Sequence, residues 1–203
     1  MGGQSTGIFK GLNCGPGSTD SKKNVSKNLT IVRKKINTCS KKIILLNQIH
    51  SNKFYFIDRH SKLIKNKFRG DALITNKTNL PIAVLTADCA PILIHDEKAK
   101  MIAAIHAGWR GAYKDIVAKV VNFMIKKGCS SKNITAAIGP CITVNNYEVK
   151  EDLIKKFIKK NKRNKIFFKK INNKNYFNLN KYIQSQLKAL NIKKIDIIKK
   201  DTF

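Results

Sequence analysis

Apolar residues along the chain fall into short runs separated by polar or turn-forming stretches, and the period of each run predicts its element. Ile43 to Ile49, Leu80 to Leu85 and Met101 to Ile105 are apolar-rich and bounded by polar or turn residues, the pattern of buried strands. Ile134 to Ile138 and Ile195 to Ile198 read the same way. The spacing changes further on: Ile116, Val117, Val120, Val121, Met124 and Ile125 repeat at i, i+1, i+4, i+5, which predicts an amphipathic helix that Gly128 is placed to end. Leu153, Ile154, Phe157 and Ile158 predict a second helix; Leu179, Ile183, Leu187 and Leu190 predict a third, with Asn178 as its N-cap. Residues 1–30 are rich in Gly, Ser, Asn and Lys, and Gly11 to Gly17 reads as a turn-dense segment. With no repeat and no linker in this order, residues 1–203 are expected to form one α/β domain.

At 203 residues the chain can bury most of its apolar surface. Its charge is the unusual quantity: 41 Lys plus Arg against 12 Asp plus Glu give +29. A basic domain attracts phosphate backbones. Here, however, the lysines are spread over predicted helix faces and loops, aromatics are not interleaved with them, and Lys, Asn and Ile are abundant together, as AT-rich coding sequence produces. Nucleic acid is therefore not the expected partner, although the charge should steer anionic substrates such as phosphate. The five cysteines, Cys14, Cys39, Cys89, Cys129 and Cys141, form no CxxC pair. With no signal peptide and no apolar run near the ~18 residues of a membrane span, a cytoplasmic protein is expected, a monomer or weak homo-oligomer.

Candidate chemistry sits at the ends of the three apolar runs. His50 ends the first, Cys89 follows the second, and His106 ends the third. Two imidazoles and a thiolate make a three-ligand zinc site with the fourth position left for water or substrate, the arrangement of a catalytic site. His60 and His95 lack such a context and read as surface residues, and Trp109 reads as packing beside the site. Cys141, after Gly139-Pro140, reads equally as pocket lining or packing. Gly15-Pro16-Gly17 lacks the pattern of a phosphate-binding P-loop and reads as a turn.

Four segments stand in a specific order: Gly70-Asp71-Ala72-Leu73-Ile74-Thr75, Thr86-Ala87-Asp88-Cys89-Ala90-Pro91, His106-Ala107-Gly108-Trp109-Arg110-Gly111 and Gly139-Pro140-Cys141-Ile142, followed by Tyr147-Glu148-Val149. Over nearly the whole chain this resembles the bacterial laccase-domain family, once called polyphenol oxidoreductases and now regarded as zinc-dependent purine nucleoside phosphorylases. The resemblance implies a four-layer α/β/β/α fold with mixed sheets. It implies zinc held by His50, within Asn47-Gln48-Ile49-His50, with Cys89 and His106. It also implies cleavage of adenosine, inosine or methylthioadenosine by phosphate, with adenosine deamination beside it; related members have been linked to peptidoglycan precursor editing.

Phosphorolysis needs a bound phosphate, and the planar fork of Arg110 suits one, with Gly111 letting backbone amides approach. Asp88, beside the ligand cysteine, is expected to orient a ligand histidine. Asp71 is expected to donate a proton or to bond the ribose. The competing enzyme reading is a Cys–His hydrolase with Cys89 as nucleophile and His106 as base. Multicopper phenol oxidation is disfavoured, because three candidate ligands are too few and no His-x-His pair exists among four histidines. Against the family pattern, Met1-Gly2-Gly3 stands where a strand and an arginine precede the Gly-Gly pair. Asp201-Thr202-Phe203 stands where Cys-Thr-Tyr runs on to Ser-x-Arg-Arg. Both ends are thus expected to be shortened, which leaves the metal ligands complete and removes arginines suited to phosphate.

Overall fold

A computed structural model describes residues 2–40, 42–58, 60 and 69–203. In chain order these form α1 (Lys22–Lys35), β1 (Phe54–Ile57), β2 (Ala72–Thr75), β3 (Ala90–Asp96), β4 (Met101–Ala107), α2 (Trp109–Tyr113), α3 (Ile116–Lys126) and β5 (Ile134–Ile138). There follow β6 (Glu148–Val149), α4 (Glu151–Lys160), β7 (Phe168–Ile171), β8 (Lys174–Phe177), α5 (Leu179–Ala189) and β9 (Lys194–Ile197). One sheet has the order β1-β2-β4-β3-β5-β9 and is mixed: β1–β2 and β5–β9 run parallel, and the other pairs antiparallel. A second sheet, β6-β8-β7, is antiparallel. This is the expected mixed α/β architecture.

The core follows from the apolar periods. On α3, Ile116, Val117, Val120, Val121 and Met124 are all fully buried, packed with Ile92 and Ile94 of β3, Ile105 of β4 and Ile138 of β5. Each such side chain contributes roughly 2 kcal/mol of transfer free energy before chain entropy is set against it. The helix stops where expected, at Gly128, whose φ of 100° needs a residue without a Cβ. The Asn178 side chain caps α5 by accepting from the Lys181 N–H at 2.9 Å. Phe157 of α4 joins the small sheet to α5, its ring 5.0 Å from those of Phe177 and Tyr182.

Three expectations are corrected. Residues 43–49 and 80–85 are not ladder strands; they are extended segments joined by a single parallel bridge, Ile44 to Ile82. Pro81 has no N–H to give a ladder, and the Gln48 side chain takes both backbone groups of Leu85. The polar N-terminal region contains a 14-residue helix, α1. Its inward face carries Val25 and, fully buried, Asn28, so the apolar spacing that would reveal it is broken.

Candidate metal centre

Strand register assembles the site. The pair Ala72–Ile105 on β2 and β4 places Asp71 opposite His106, and the pair Ala90–Ala107 on β3 and β4 places Cys89 opposite Gly108. The His106 N–H donates to the Asp71 carbonyl at 2.7 Å, and His106 Nδ1 bonds Asp71 Oδ1 at 2.9 Å. With Nδ1 engaged, Nε2 is the nitrogen that His106 offers to a metal. Gly108 leaves room for the thiol: a Cβ there would stand 2.6 Å from Cys89 Sγ.

His50 arrives on a loop wrapped around the same carboxylate. Asp71 Oδ1 accepts from the backbone N–H groups of Ile49 at 3.2 Å and His50 at 2.9 Å. Asp71 Oδ2 accepts from the Ser51 N–H at 2.6 Å and hydroxyl at 2.7 Å. This nest holds His50 at a φ of 54°, a conformation that a non-glycine residue keeps only when its surroundings impose it. Asp71 is fully buried. Burial opposes its ionisation, but the bonds from His106 and Ser51 outweigh burial and hold the carboxyl below its ordinary range. Burial likewise disfavours the His106 cation, and bonding to Asp71 and Cys89 overcomes it, raising the imidazole to about 9 in the metal-free protein.

The ligand atoms of His50, Cys89 and His106 lie within 4.8 Å of one another. Cys89 Sγ is 3.9 Å from His50 Nε2, and the two imidazoles meet edge to face with centroids 4.8 Å apart. Tetrahedral bonds of about 2.3 Å to sulfur and 2.0 Å to nitrogen place such atoms about 3.5 Å apart, so this pair needs to close by only a few tenths of an ångström. The three side chains open into a cavity of about 700 Å³ walled by Leu12 to Gly15 on one side and by Gln48 and Val84 to Asp88 on the other.

The cavity wall at residues 12–15 has no apolar period to reveal it. It is organised by Asn28, whose Oδ1 accepts from the Gln4 N–H at 2.7 Å and whose Nδ2 donates to Ser5 Oγ, to the Asn13 carbonyl and, at 3.4 Å, to the Gly11 carbonyl. Ser5 in turn donates to Asp20 at 2.6 Å, and Asn13 donates to the same carboxylate at 2.9 Å.

The aspartate bonded to a candidate ligand histidine is Asp71 and not, as expected, Asp88. Asp71 is fully buried and holds the His106 ring through Nδ1. Asp88 is exposed at the cavity wall, where its Oδ1 accepts from the Thr202 hydroxyl at 3.0 Å. Arg110 is exposed on α2, its guanidinium 5.3 Å from the Trp109 ring centroid. Gly111 is buried in α2, where a Cβ would approach the Ser51 carbonyl to 3.1 Å. Neither Arg110 nor Gly111 lines the cavity over the ligands. Cys141 is buried, donates to Asn180 Oδ1 at 3.0 Å and is pushed up to about 12, chiefly by burial, so it packs and does not react. His60 and His95 are exposed, as expected. Among the described residues no helix is long and apolar enough to cross a membrane.

Comparisons with known proteins agree with one another. The family described as multi-copper polyphenol oxidoreductase laccase matches residues 1–203. Purine nucleoside phosphorylase RP494 of Rickettsia prowazekii is 38% identical over 163 residues, 79% of this chain and 66% of that protein. Purine nucleoside phosphorylase RC0672 of Rickettsia conorii is 37% identical over 189 residues, 90% of this chain and 77% of that one. A purine nucleoside phosphorylase of Bacteroides thetaiotaomicron is 33% identical over 166 residues, 78% and 62% of the two chains. The chain thus spans about two thirds of the length of the relatives it matches. The crystal structure of the hypothetical protein YfiH of Bacillus licheniformis superposes with a TM-score of 0.89 at 24% identity, covering 99% of this chain and 79% of that one. That of protein NMB0706 of Neisseria meningitidis does so with a TM-score of 0.86 at 26% identity, covering 100% and 80%.

Proposed function

The chain belongs to the family described as multi-copper polyphenol oxidoreductase laccases, and on that premise we propose that it is a zinc-dependent purine nucleoside phosphorylase. It takes adenosine, inosine or methylthioadenosine with phosphate, and deaminates adenosine at the same site. The observation that carries this reading is the His50–Cys89–His106 cluster, held by Asp71 and open to a cavity of about 700 Å³, a size that suits a nucleoside. Three converging donors, two of them imidazoles and one a thiolate, fit a single zinc ion with one open position and do not fit a multicopper centre.

When bound, zinc supplies a Lewis acid for a base or phosphate oxygen and lowers the pKa of a coordinated water. The chain's own residues prepare the place. Asp71 keeps the proton of His106 at Nδ1, which turns Nε2 to the metal and raises its basicity. Gly108 keeps the approach to Cys89 clear. Asp88, Asn13 and Gln48 line the wall that would meet the sugar and the base. Arg110, exposed on α2, is the cation proposed for phosphate, with Gly111 keeping α2 close against the Ser51 loop, and the +29 net charge draws phosphate toward the protein.

The test combines metal analysis with chromatography of adenosine and phosphate mixtures. The expected result is about one zinc per chain, with adenine and ribose 1-phosphate formed only when phosphate is present, lost on chelation and restored by zinc. Protein that holds zinc and yields neither adenine nor inosine refutes the reading. A second reading has one observation in its favour: Asp71, His106 and Cys89 also follow the order of a Cys–His–Asp triad. Full activity after thorough chelation would select that hydrolase.

A further inference from the structure

We propose that Gln48 is the positioning residue for Cys89, clamping the segment that carries the thiolate to the segment that carries His50. The inference rests on the metal reading of the site and names the part of the chain that keeps the cluster closed.

Three ligands define a triangle, and each side is held differently. Asp71 ties His50 to His106 by accepting from both. The β3–β4 ladder, with Ala90 opposite Ala107, sets Cys89 against His106. The third side, from His50 to Cys89, has no backbone ladder. The two segments pair only at Ile44, which donates to the Pro81 carbonyl at 2.9 Å and accepts from the Ala83 N–H at 3.0 Å. Further along, the connection passes through one side chain. Gln48 Nε2 donates to the Leu85 carbonyl at 2.7 Å, and the Leu85 N–H donates to Gln48 Oε1 at 2.7 Å.

The planar amide thus stands in for a peptide unit, offering one donor and one acceptor where a neighbouring strand would. Gln48 lies two residues before His50, and Leu85 four before Cys89. Thr86, Ala87 and Asp88 between them are exposed, so the thiolate rides on a short span fixed at one end by the clamp and at the other by β3. The Ile142 N–H and the Thr202 hydroxyl tether Asp88 to other segments and not to His50. Only a side chain with both a donor and an acceptor at this reach closes the His50–Cys89 side. Glutamate keeps the acceptor alone, and methionine keeps neither.

Gln48 also lines the cavity, so turnover would mix two effects, and the deciding readout is the metal itself. The probe is Co²⁺ added to metal-free full-length protein, with affinity read by chelator competition and thiolate ligation read by the sulfur-to-cobalt charge-transfer band. Gln48→Met is expected to weaken Co²⁺ binding by about 10–100-fold, the usual effect of losing a residue that orients a ligand, and to diminish the band even at saturating Co²⁺. Gln48→Glu should fall between the parent and Gln48→Met. A purely structural role would lower the melting temperature and leave the saturated band intact. Parent-like affinity and band in Gln48→Met overturn the proposal; should that variant not fold, the same result in Gln48→Glu overturns it. Cys89→Ala separates the two levels. If it keeps the band, the metal reading itself fails; if it loses the band while Gln48→Met keeps it, only the clamp fails.

Discussion

Gly108→Ala is expected to expel the thiolate from the metal cluster while leaving the backbone undisturbed. Gly108 has φ −76° and ψ 176°, a conformation that alanine adopts freely, so the perturbation is steric alone. The added Cβ would lie 2.6 Å from Cys89 Sγ, 3.4 Å from His50 Cδ2 and 3.8 Å from Cys89 Cβ. Non-bonded contacts of this kind relax at about 3.5–4.0 Å, so the sulfur must retreat by about 1 Å or α2 must lift away from β3. A metal–ligand distance tolerates about 0.2 Å, so either movement breaks the geometry. Overpacking of this size costs about 1–3 kcal/mol of stability. The loss in metal affinity should be at least the about 10–100-fold that follows loss of an orienting neighbour. The assay is zinc content of the purified variant, a Co²⁺ titration following the thiolate band, and thermal melts of the metal-free proteins to measure packing separately. A Gly108→Ala protein that holds one zinc per chain at parent affinity would refute the reasoning that this glycine exists to give the ligand room.

The remaining predictions concern the groups around the cluster. In metal-free protein the raised His106 contributes stability that is complete below its unfolded pKa of about 6.5 and is lost as pH rises through about 9. The gap in melting temperature between parent and His106→Gln should therefore be widest near pH 6 and nearly closed above pH 9. Asp71 has the opposite sign: its carboxyl is held low, so its contribution is present above an unfolded value of about 3.9 and is lost only in stronger acid. Metal must displace the His106 proton, so zinc affinity should climb by up to about tenfold per pH unit toward 9 and then flatten for this group; Asp71→Asn should make that slope shallower. Asn28→Ala removes four hydrogen bonds from a buried network and should cost about 1–3 kcal/mol, with faster proteolysis at residues 11–18 and unchanged Co²⁺ affinity. Protection of that loop in Asn28→Ala equal to the parent would show that the network does not hold the cavity wall.

What was legible in the sequence is what repeats. The strand at Met101–Ala107 and the helix at Ile116–Lys126 show their period in consecutive residues, and the Asn178 cap and Gly128 stop are local signals. The three ligands stood at the ends of apolar runs and inside distinctive motifs. Adjacency in sequence points to Asp88 as the partner of a candidate ligand histidine. Register decides otherwise: Asp71 faces His106 across β2 and β4 from 35 positions away, and no pattern within one strand announces its register with the next. The same holds for Gln48, whose bonds replace ladder rungs that the apolar runs at 43–49 and 80–85 predict. α1 and the cavity wall depend on Asn28, a polar residue at the centre of a buried face, where an apolar period cannot be seen.

A thiol and two imidazoles near one another are not yet a metal site, since side chains that must be gathered at the moment of binding lose rotamer freedom to do so. Here much of that gathering is complete without the ion. Asp71 spends its acceptor capacity on His106 and on the Ile49–Ser51 loop that carries His50, the sheet register sets Cys89 against His106, and Gln48 spans the remaining side. None of these three devices uses a ligand atom, so all persist when metal binds. Metal binding takes the proton of each ligand, and for His106 it is a proton that the same Asp71 made harder to remove. The carboxylate that orders the ligand therefore also sets the proton a metal has to displace. That favours ions with strong affinity for imidazole and thiolate over the hard, oxygen-seeking divalent cations that are more abundant in a cell.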